Sequence, residues 1–250
     1  MTEDLTRVSQ FIDSVESSGG ELYQALHDIF DADYEPGPVH LFLARTAPLL
    51  RERNQLQVIL TTNYDDALER AFEKAGEPYD LITYIASSPK EYRGRFMHWA
   101  PGEPPRVIES ANDDRLGPDK RTVILKLHGA VQRLGASGED NYVITEDHYI
   151  EYLTRMDLDN LIPVKVLERL RNCHFLFMGY SLADWNLRAI LHRLWSERRR
   201  DRDWWAIQVE PSDLERRSWR RRGVDIFDIP LGEYIEELNK RFGEAVGSGS

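Results

Sequence analysis

LQVILTTNYDDALERAFEKAG, residues 56–76, is the stretch that decides the fold, because it contains a strand, a turn and a helix in succession. Val58–Leu60 is an apolar run that begins with two β-branched residues and is too short for a buried helix, so it predicts a strand. The polar residues 61–66 predict a turn. The helix after them has one apolar face, begins at a good capping residue and ends at a glycine. The apolar face consists of Ala67, Leu68, Ala71 and Phe72, the cap is Asp65 or Asp66, and the stop is Gly76.

This turn is a candidate ligand site because ligands in open α/β sheets bind at the carboxyl ends of the strands. Thr62, Asn63 and Asp65 are the polar residues at this strand end. The alternative interpretation is that asparagine and aspartate are ordinary turn and capping residues here. A single turn does not separate the two interpretations, so the other strand ends matter.

A strand followed by a helix recurs along the rest of the chain. The predicted strands cover 57–61, 122–127, 174–178, 205–209 and 224–229. This order predicts an α/β fold, a Rossmann-like and mostly parallel sheet with helices on both faces. We expect a single domain over 1–246. Its first part, 1–53, is a helical segment, and its second part, 54–246, is the parallel-sheet core. The last four residues, 247–250 (GSGS), resemble a linker or tag.

Two regions outside this pattern contain histidines. Residues 77–120 include six prolines and predict a long irregular loop, with possible short strands at 84–85 and 96–98. His98 and Trp99 fit a surface loop contact better than a pocket. His40 lies beside the apolar stripe of a predicted helix and fits a packing role better than a metal ligand.

Composition excludes several classes of function. The 250 residues carry a formal net charge of -11, which argues against general nucleic-acid binding because that needs a basic surface. No apolar segment is long enough to span a membrane, and the polar start MTEDLTRVSQF does not resemble a signal peptide, so we expect a cytoplasmic protein. The single cysteine, Cys173, excludes an intrachain disulfide and a four-cysteine zinc site, so we expect no metal.

Three predicted strands end in polar or small residues that share one edge of a parallel sheet. The ends carry Asn63 with Asp65, His128 with Gly129, and Gly179 with Ser181. We therefore expect them to converge on one cleft. His128 fits a general base, because imidazole titrates near neutral pH, or a core histidine bonded to backbone. The third end precedes a predicted helix, and such an end suits a phosphate or ribose.

Three segments together resemble the signature segments of the sirtuin superfamily. They are TTNYD (61–65), LKLHGA (125–130) and MGYSL (178–182), in the same order as in that family. The stretches TTNYDDALERAF and GYSLADWNLRAIL are most similar to the bacterial sirtuin-like branch of antiphage-defence, NAD-consuming proteins. The resemblance covers roughly residues 38–230.

The resemblance implies a role for each matching residue, with NAD as the substrate. Asn63 is expected to position the nicotinamide ribose and the attacking water, and Asp65 to lie near the nicotinamide. His128 is expected to act as the base or as the partner of the ribose hydroxyls, and Gly179 and Ser181 to hold the adenosine side. The remaining residues that the resemblance assigns to NAD binding are Thr61, Thr62, Gly129, Leu182 and Glu210.

The sequence also departs from the family pattern. No Gly-Ala-Gly-x-Ser loop or opening strand precedes Asn63, which implies a truncated chain or a degenerate member. The zinc ribbon is absent, and the Phe-Gly-Glu-type strand that clamps an acyl-lysine peptide is not found between His128 and Ser181. The expected function is therefore NAD hydrolysis to nicotinamide and ADP-ribose, as the effector domain of a defence protein that acts as a homo-oligomer or with a defence-system partner. The alternatives are an NAD-dependent deacylase or ADP-ribosyltransferase, and an inactive module that binds an ADP-ribose-like nucleotide or a partner.

Overall fold

The computed structural model divides into two compact units, Met1–Leu167 and Glu168–Ser250, which are described separately below. That the chain forms a single domain stays a prediction. The structure describes residues 2–15, 20–87, 90–112, 121–131, 141–155, 162–180, 188, 191–192 and 203–247.

The first unit is a five-stranded mixed sheet with helices before, between and after its strands. Its helices are α1 (Thr2–Val15), α2 (Gly20–Phe30), α3 (Pro38–Glu52), α4 (Ala67–Ala75) and α5 (Glu146–Arg155), and α6 (Val164–Asn172) contains the boundary between the units. Its strands are β1 (Val58–Thr61), β2 (Tyr79–Tyr84), β3 (Phe96–Trp99), β4 (Arg106–Ile108) and β5 (Thr122–Lys126), with a separate hairpin of β6 (Gly129–Ala130) and β7 (Asn141–Tyr142).

The strand order in this sheet is β1-β5-β2-β3-β4, which places β5 at the centre. The strands β1, β5 and β2 are parallel, and β3 and β4 continue the sheet in antiparallel pairs. Every residue of β5 is buried, as the apolar run at 122–127 predicts. The helix predicted after the polar turn is also confirmed, as α4. It ends at the predicted residue, Gly76, whose φ of +66° is a left-handed conformation that glycine adopts without strain.

Helices α3 and α4 bury their apolar faces together against the sheet. Short side chains on α3 allow the two helices to approach closely, and the side chain of Phe72 is fully buried between them and the sheet. The buried members of this cluster are Ala44, Ala47, Leu68, Ala71, Phe72, Leu81 and Ile124. The packing fixes the start of α4, and with it the polar turn, relative to the end of β1.

The prediction of a long irregular loop at 77–120 is wrong where the described part forms β2 and β4, whereas the short strand expected at 96–98 is confirmed by β3. The described prolines of this region, Pro78, Pro101, Pro104 and Pro105, all lie outside β2, β3 and β4, so the pairing of these strands loses no hydrogen bond to them. His98 is not a surface contact either. Its side chain is 1% exposed in β3, opposite Ile82 of β2 in the register.

A buried carboxylate, Asp80, ties β2, β3 and the start of β5 together. Its Oδ1 lies 2.7 Å from Nε2 of His98, and its two oxygens accept hydrogen bonds from Nη2 and Nε of Arg121 at 2.9 and 2.8 Å. Asp80 lies opposite Val123, at the amino ends of β2 and β5. The cluster therefore lies at the edge opposite the polar strand ends.

The second unit is a three-stranded parallel sheet in the order β10-β9-β8. Its strands are β8 (Phe175–Met178), β9 (Trp204–Gln208) and β10 (Val224–Asp228), with helices α7 (Asp213–Arg220) and α8 (Leu231–Gly247). The predicted parallel direction is confirmed within each sheet. The prediction that the strands near 57, 122, 174 and 205 form one sheet is wrong for the described residues, because strand–helix alternation sets the direction of strands but not their hydrogen-bond partners.

Candidate functional site

The ends of β1 and β5 lie side by side. These parallel strands pair from Val58 opposite Val123 to Thr61 opposite Lys126. The N–H of Leu127 donates to the carbonyl of Thr61 at 2.9 Å, which extends the pairing by one residue. The chain therefore leaves both strands at the same edge of the sheet, immediately before Asn63 on one side and His128 on the other.

The turn after β1 is held by hydrogen bonds that leave the Asn63 side chain at the surface. The N–H of Asn63 donates to Oγ1 of Thr61 at 3.1 Å, and Oδ1 of Asp65 accepts from the N–H of Ala67 at 3.0 Å. Asn63 itself is exposed, whereas Thr61, Thr62 and Asp65 are half-buried. Thr61 thus shapes the turn, and Asp65 accepts from the N–H of the first residue of α4, whereas the N-cap residue of α4 is Asp66, one of the two aspartates that the sequence offers.

The ring of Tyr64 connects this turn to the hairpin beyond His128. Its hydroxyl donates to the carbonyl of Val143 at 2.7 Å, and its own carbonyl accepts from the N–H of Val131 at 2.9 Å. The ring packs edge-on against Tyr142, with 5.1 Å between centroids. Phe30 of α2 packs against both rings, so the helical segment covers this part of the turn.

His128 is buried in an aromatic wall. Its side chain packs edge-to-face against Tyr149 and Tyr152 of α5, with centroid separations of 5.3 and 5.2 Å. The residue is 4% exposed, and its Nε2 has no hydrogen-bond partner among the residues that the structure describes. The alternative of a core histidine bonded to backbone concerns the other ring nitrogen, Nδ1, and stays a prediction. Burial lowers the pKa of His128 to about 4, so the imidazole is neutral at physiological pH and its free nitrogen can accept a proton or donate a hydrogen bond.

This burial predicts a loss of stability in acid. The unfolded imidazole binds a proton near pH 6.5, whereas the folded one does so only near pH 4, so protons favour the unfolded state between these values. The free energy of unfolding should fall by about 3 kcal/mol from this residue alone over that interval. Burial also lowers the pKa of His40 and His148, so wild type shows their contributions as well.

Denaturant titrations at several pH values isolate the His128 contribution. In wild type the free energy of unfolding falls between pH 7 and pH 4, and in His128→Gln this fall should be smaller by about 3 kcal/mol. Asn172→Ala, which removes an exposed side chain that carries no ionisable group, is the control and should leave the difference unchanged. If the free energy of unfolding depended on pH equally in wild type and in His128→Gln, the His128 ring would not be a neutral group that burial keeps from being protonated.

Gly129 follows His128 and has a conformation that only glycine fits. Its φ is +88°, and a Cβ atom built there would lie 1.9 Å from the carbonyl oxygen of Asn141 on the paired strand β7. Any side chain at this position forces β6 and β7 apart. Gly129 therefore allows β6 and β7 to approach each other closely beside His128. Its contact with NAD stays a prediction.

Gly129→Ala should destabilise the protein by about 3 kcal/mol, because overpacking and an unfavourable φ each cost about 1–3 kcal/mol. Thermal or denaturant unfolding measures the loss. Gly243→Ala in α8 is the matched control, since no atom lies within 4 Å of the added methyl group, and it should be neutral or slightly stabilising. A melting curve for Gly129→Ala that matches wild type would contradict this geometry.

Two of the predicted NAD-binding residues lie in the described part of the second unit. Gly179 is exposed directly after β8 with a φ of +71°. Glu210 follows β9 with a φ of +50°, and its N–H donates to Oδ1 of Asp228 at 2.8 Å. Ser181 and Leu182, and the helix predicted after them, lie outside the described residues.

Sequence reasoning missed the buried ion pair next to the turn. Nζ of Lys126 lies 2.5 Å from Oε1 of Glu69 and 2.5 Å from the backbone oxygen of Asp65. The signal was a single charged residue inside the apolar strand TVILKL, since lysine is almost never fully buried without a partner. The aromatic wall of Tyr149 and Tyr152 was also missed as part of the site, because both residues fit an ordinary amphipathic helix.

Neither a metal cluster nor a membrane helix is found in the described parts of the chain. No group of three or more histidine, cysteine, aspartate or glutamate side chains there could hold a metal ion. The expectation of no structural zinc stays a prediction. Among the same residues, no helix has the length and apolar character needed to cross a bilayer.

Comparison with known proteins gives two matches. A family model described as the SIR2-like domain matches residues 57–227, which is more than half of the chain. The chain is also similar to "Defense-associated sirtuin 2" of Bacillus subtilis, at 24% identity over 210 residues. The alignment covers 81% of this chain and 17% of that protein, so the chain spans about a sixth of the length of the curated relative it matches. The segments at 61–65, 125–130 and 178–182 all lie within the family match.

Proposed function

Because the chain belongs to the family of SIR2-like domains, we propose that it binds NAD and hydrolyses the bond between nicotinamide and ribose. The observation that carries this proposal is the buried and unpaired Nε2 of His128 beside the strand end that presents Asn63. A buried polar atom without a partner costs free energy, so its persistence supports a role in binding a ligand.

The reaction converts NAD and water into nicotinamide, ADP-ribose and a proton. The C1′–N bond breaks with its electron pair leaving on nicotinamide, and a water oxygen forms the new bond to C1′. The transition state has oxocarbenium character, so the site needs placed polar groups and a placed water more than a strong nucleophile. A neutral imidazole at Nε2 of His128 suits acceptance of a hydrogen bond from a ribose hydroxyl, or of the proton that the water loses.

The Asn63 side chain suits positioning of that water. Its amide offers both a donor and an acceptor, and the exposed residue leaves them accessible at the edge that His128 shares. Correct placement of a water and the ribose accounts for a large part of such a rate enhancement. Asp65 is proposed to lie near the nicotinamide, while its Oδ1 also accepts from the N–H of Ala67.

The rest of the NAD site is proposed from the family resemblance. Thr61, Thr62 and Gly129 would contact the nicotinamide half. Gly179, Ser181, Leu182 and Glu210 would contact the adenosine half. The exposed, left-handed Gly179 supports close approach of a ligand to the backbone at the end of β8, since glycine itself has no side chain.

We further propose that the chain is the NAD-consuming part of a larger bacterial defence protein. The support is the similarity to "Defense-associated sirtuin 2", of which the chain spans 17%. In this role, removal of NAD would act in the cytoplasm, and the remainder of the protein, a second copy or a defence-system partner would control it. Water is the proposed acceptor because no peptide-clamping segment is recognised between His128 and Ser181.

Chromatography of nicotinamide released from NAD tests the proposal. Two reactions are compared, one with an acyl-lysine peptide and one without. Equal release in both supports a hydrolase, whereas release only with the peptide identifies a deacylase. NAD binding by calorimetry without release in either reaction identifies an inactive nucleotide-binding module.

A further inference from the structure

The two strand ends of the site are joined by one buried ammonium group. Lys126 is the last residue of β5, two positions before His128, and its side chain is 1% exposed. Its Nζ donates to the backbone carbonyl of Asp65, at 2.5 Å, and pairs with Oε1 of Glu69 on the first turn of α4. We propose that Lys126 is a positioning residue that holds the Asn63 turn in register with the His128 strand end. This inference rests on the proposed function.

The hydrogen bond to Asp65 acts on the backbone of the turn itself. A fixed carbonyl at residue 65 restricts the peptide plane between Asp65 and Asp66, and thus the position from which the Asp65 side chain caps Ala67. Asn63 lies two residues before the held carbonyl, and its own N–H is tied to Thr61. Asn63 is therefore held on both sides, by the end of β1 and by the ammonium of β5.

Glu69 keeps the ammonium in this orientation. Burial raises the pKa of the Glu69 carboxyl, although the neighbouring Lys126 opposes this shift. The charge of Lys126 also reaches His40, whose Nδ1 accepts from the N–H of Gly37 at the start of α3. Lys126 thus lies among the first turns of two helices that pack together.

Stability alone is a poor reason for an ion pair at this position. The neighbours of Lys126 on its strand, Ile124, Leu125 and Leu127, are fully buried apolar residues, and an apolar side chain would continue that pattern. Replacing a buried ion pair by apolar groups of similar volume is often neutral or stabilising. Because apolar side chains serve stability at such a position, the carbonyl that Lys126 holds beside the site points to a requirement for geometry.

Three variants separate positioning from stability. Lys126→Met/Glu69→Gln removes both charges and keeps the lengths of the side chains. Glu69→Gln alone keeps the hydrogen bond from Lys126 to Asp65. Lys74→Met is the control, because its ammonium lies on the exposed side of α4, 3.6 Å from the exposed Glu35.

The positioning role predicts a split between kcat, KM and stability. The double variant should lower kcat for nicotinamide release by about 10–10²-fold with KM nearly unchanged, since small misplacement of reacting groups costs about 10²-fold. Hydrogen exchange at the amides of Asn63 and Ala67 should become about tenfold faster, while that of Ile124 stays as in wild type. Glu69→Gln should melt at a lower temperature but keep kcat within about threefold, as should Lys74→Met.

Each result decides the proposal. The proposal is overturned if the double variant has the kcat and the hydrogen exchange of wild type. It is also overturned if Glu69→Gln loses as much kcat as the double variant. If the wild-type chain releases no nicotinamide, the proposed function fails, and the exchange of Asn63 and Ala67 decides the positioning claim by itself. A double variant that does not fold overturns the proposal, because the pair would then be required for stability.

Discussion

His128→Ala is expected to slow the release of nicotinamide from NAD by about 10²–10⁴-fold, the usual contribution of general acid–base catalysis. The imidazole is neutral, nine-tenths or more buried, and unpaired at Nε2 among the described residues. No other described side chain at this strand end offers a neutral nitrogen of that kind. Most of the loss should be in kcat, because the proton is transferred only as water attacks C1′.

A histidine outside the site controls for the substitution itself. His27→Ala changes a partly exposed residue on α2 whose contact is Asp31, one turn later on the same helix, and should leave turnover unchanged. Thermal melts show whether each variant remains folded, since removal of a buried ring leaves a cavity of its own. Full turnover in a folded His128→Ala variant would remove this residue from the mechanism.

Asn63→Ala should cost about 10²-fold, which is the scale for loss of correct positioning. Its melting temperature should stay near that of wild type, because the side chain is exposed and the hydrogen bond of the turn uses the backbone N–H. Asn172→Ala, which removes an exposed hydrogen bond to the carbonyl of Glu168, is the matched control.

Asp80→Ala is expected to give the largest loss of stability, about 3–5 kcal/mol, with little effect on kcat. The substitution removes a fully buried carboxylate and leaves His98 and the guanidinium of Arg121 without their shared partner. In a chain of this size the loss corresponds to a melting temperature lower by about 10 °C. The cluster lies at the amino ends of β2 and β5, away from the edge that carries Asn63 and His128.

The pH dependence of this cluster differs from that of His128. Burial alone raises the pKa of Asp80, and the hydrogen bonds from His98 and Arg121 more than reverse this, so its pKa lies below the ordinary value. Its stabilisation is therefore present above the unfolded pKa of 3.8 and lost only as the pH falls below that value.

Asp225→Ala is the control for a surface ion pair. Asp225 and Arg220 are largely exposed, so the variant should change stability by less than about 1 kcal/mol. If Asp80→Ala melted within about 2 °C of wild type, the buried cluster would not stabilise the sheet as its geometry indicates.

The strand–turn–helix unit at 56–76 could be predicted because its signals are local. The apolar run and Gly76 each have one dominant physical interpretation, and the structure has β1, α4 and the glycine cap where those signals lie. The family resemblance is confirmed in the same way, since residues 57–227 match the SIR2-like domain.

Long-range pairing could not be predicted from local signals. Nothing near Asp80 or His98 in the sequence shows that β2 and β3 are neighbours, and the prolines of that region favour a loop. The alternation of strands and helices likewise does not show which strands share a sheet, so the two separate sheets could not be predicted.

The adjacency of the two strand ends could be predicted from the sequence, but the groups that support them could not, and the roles of the site residues stay predictions. Asn63 and His128 follow strand ends that the pattern places at one edge, and the structure places those ends next to each other. The partner of Lys126 is 57 positions away on a helix face, so its identity depends on the packing of α4 against β5. The unpaired Nε2 of His128 likewise depends on where the rings of Tyr149 and Tyr152 lie.

The central claim is that the edge carrying Asn63 and His128 hydrolyses NAD with water as the acceptor. The most direct measurement quantifies NAD, nicotinamide and ADP-ribose over time in a reaction without peptide, for the wild-type chain and for Asn63→Ala/His128→Ala. We predict that the wild type consumes NAD and forms nicotinamide and ADP-ribose in equal amounts, while the folded double variant forms neither above background. Equal product formation by the double variant, or no products from a folded wild-type chain that binds NAD, would contradict the account.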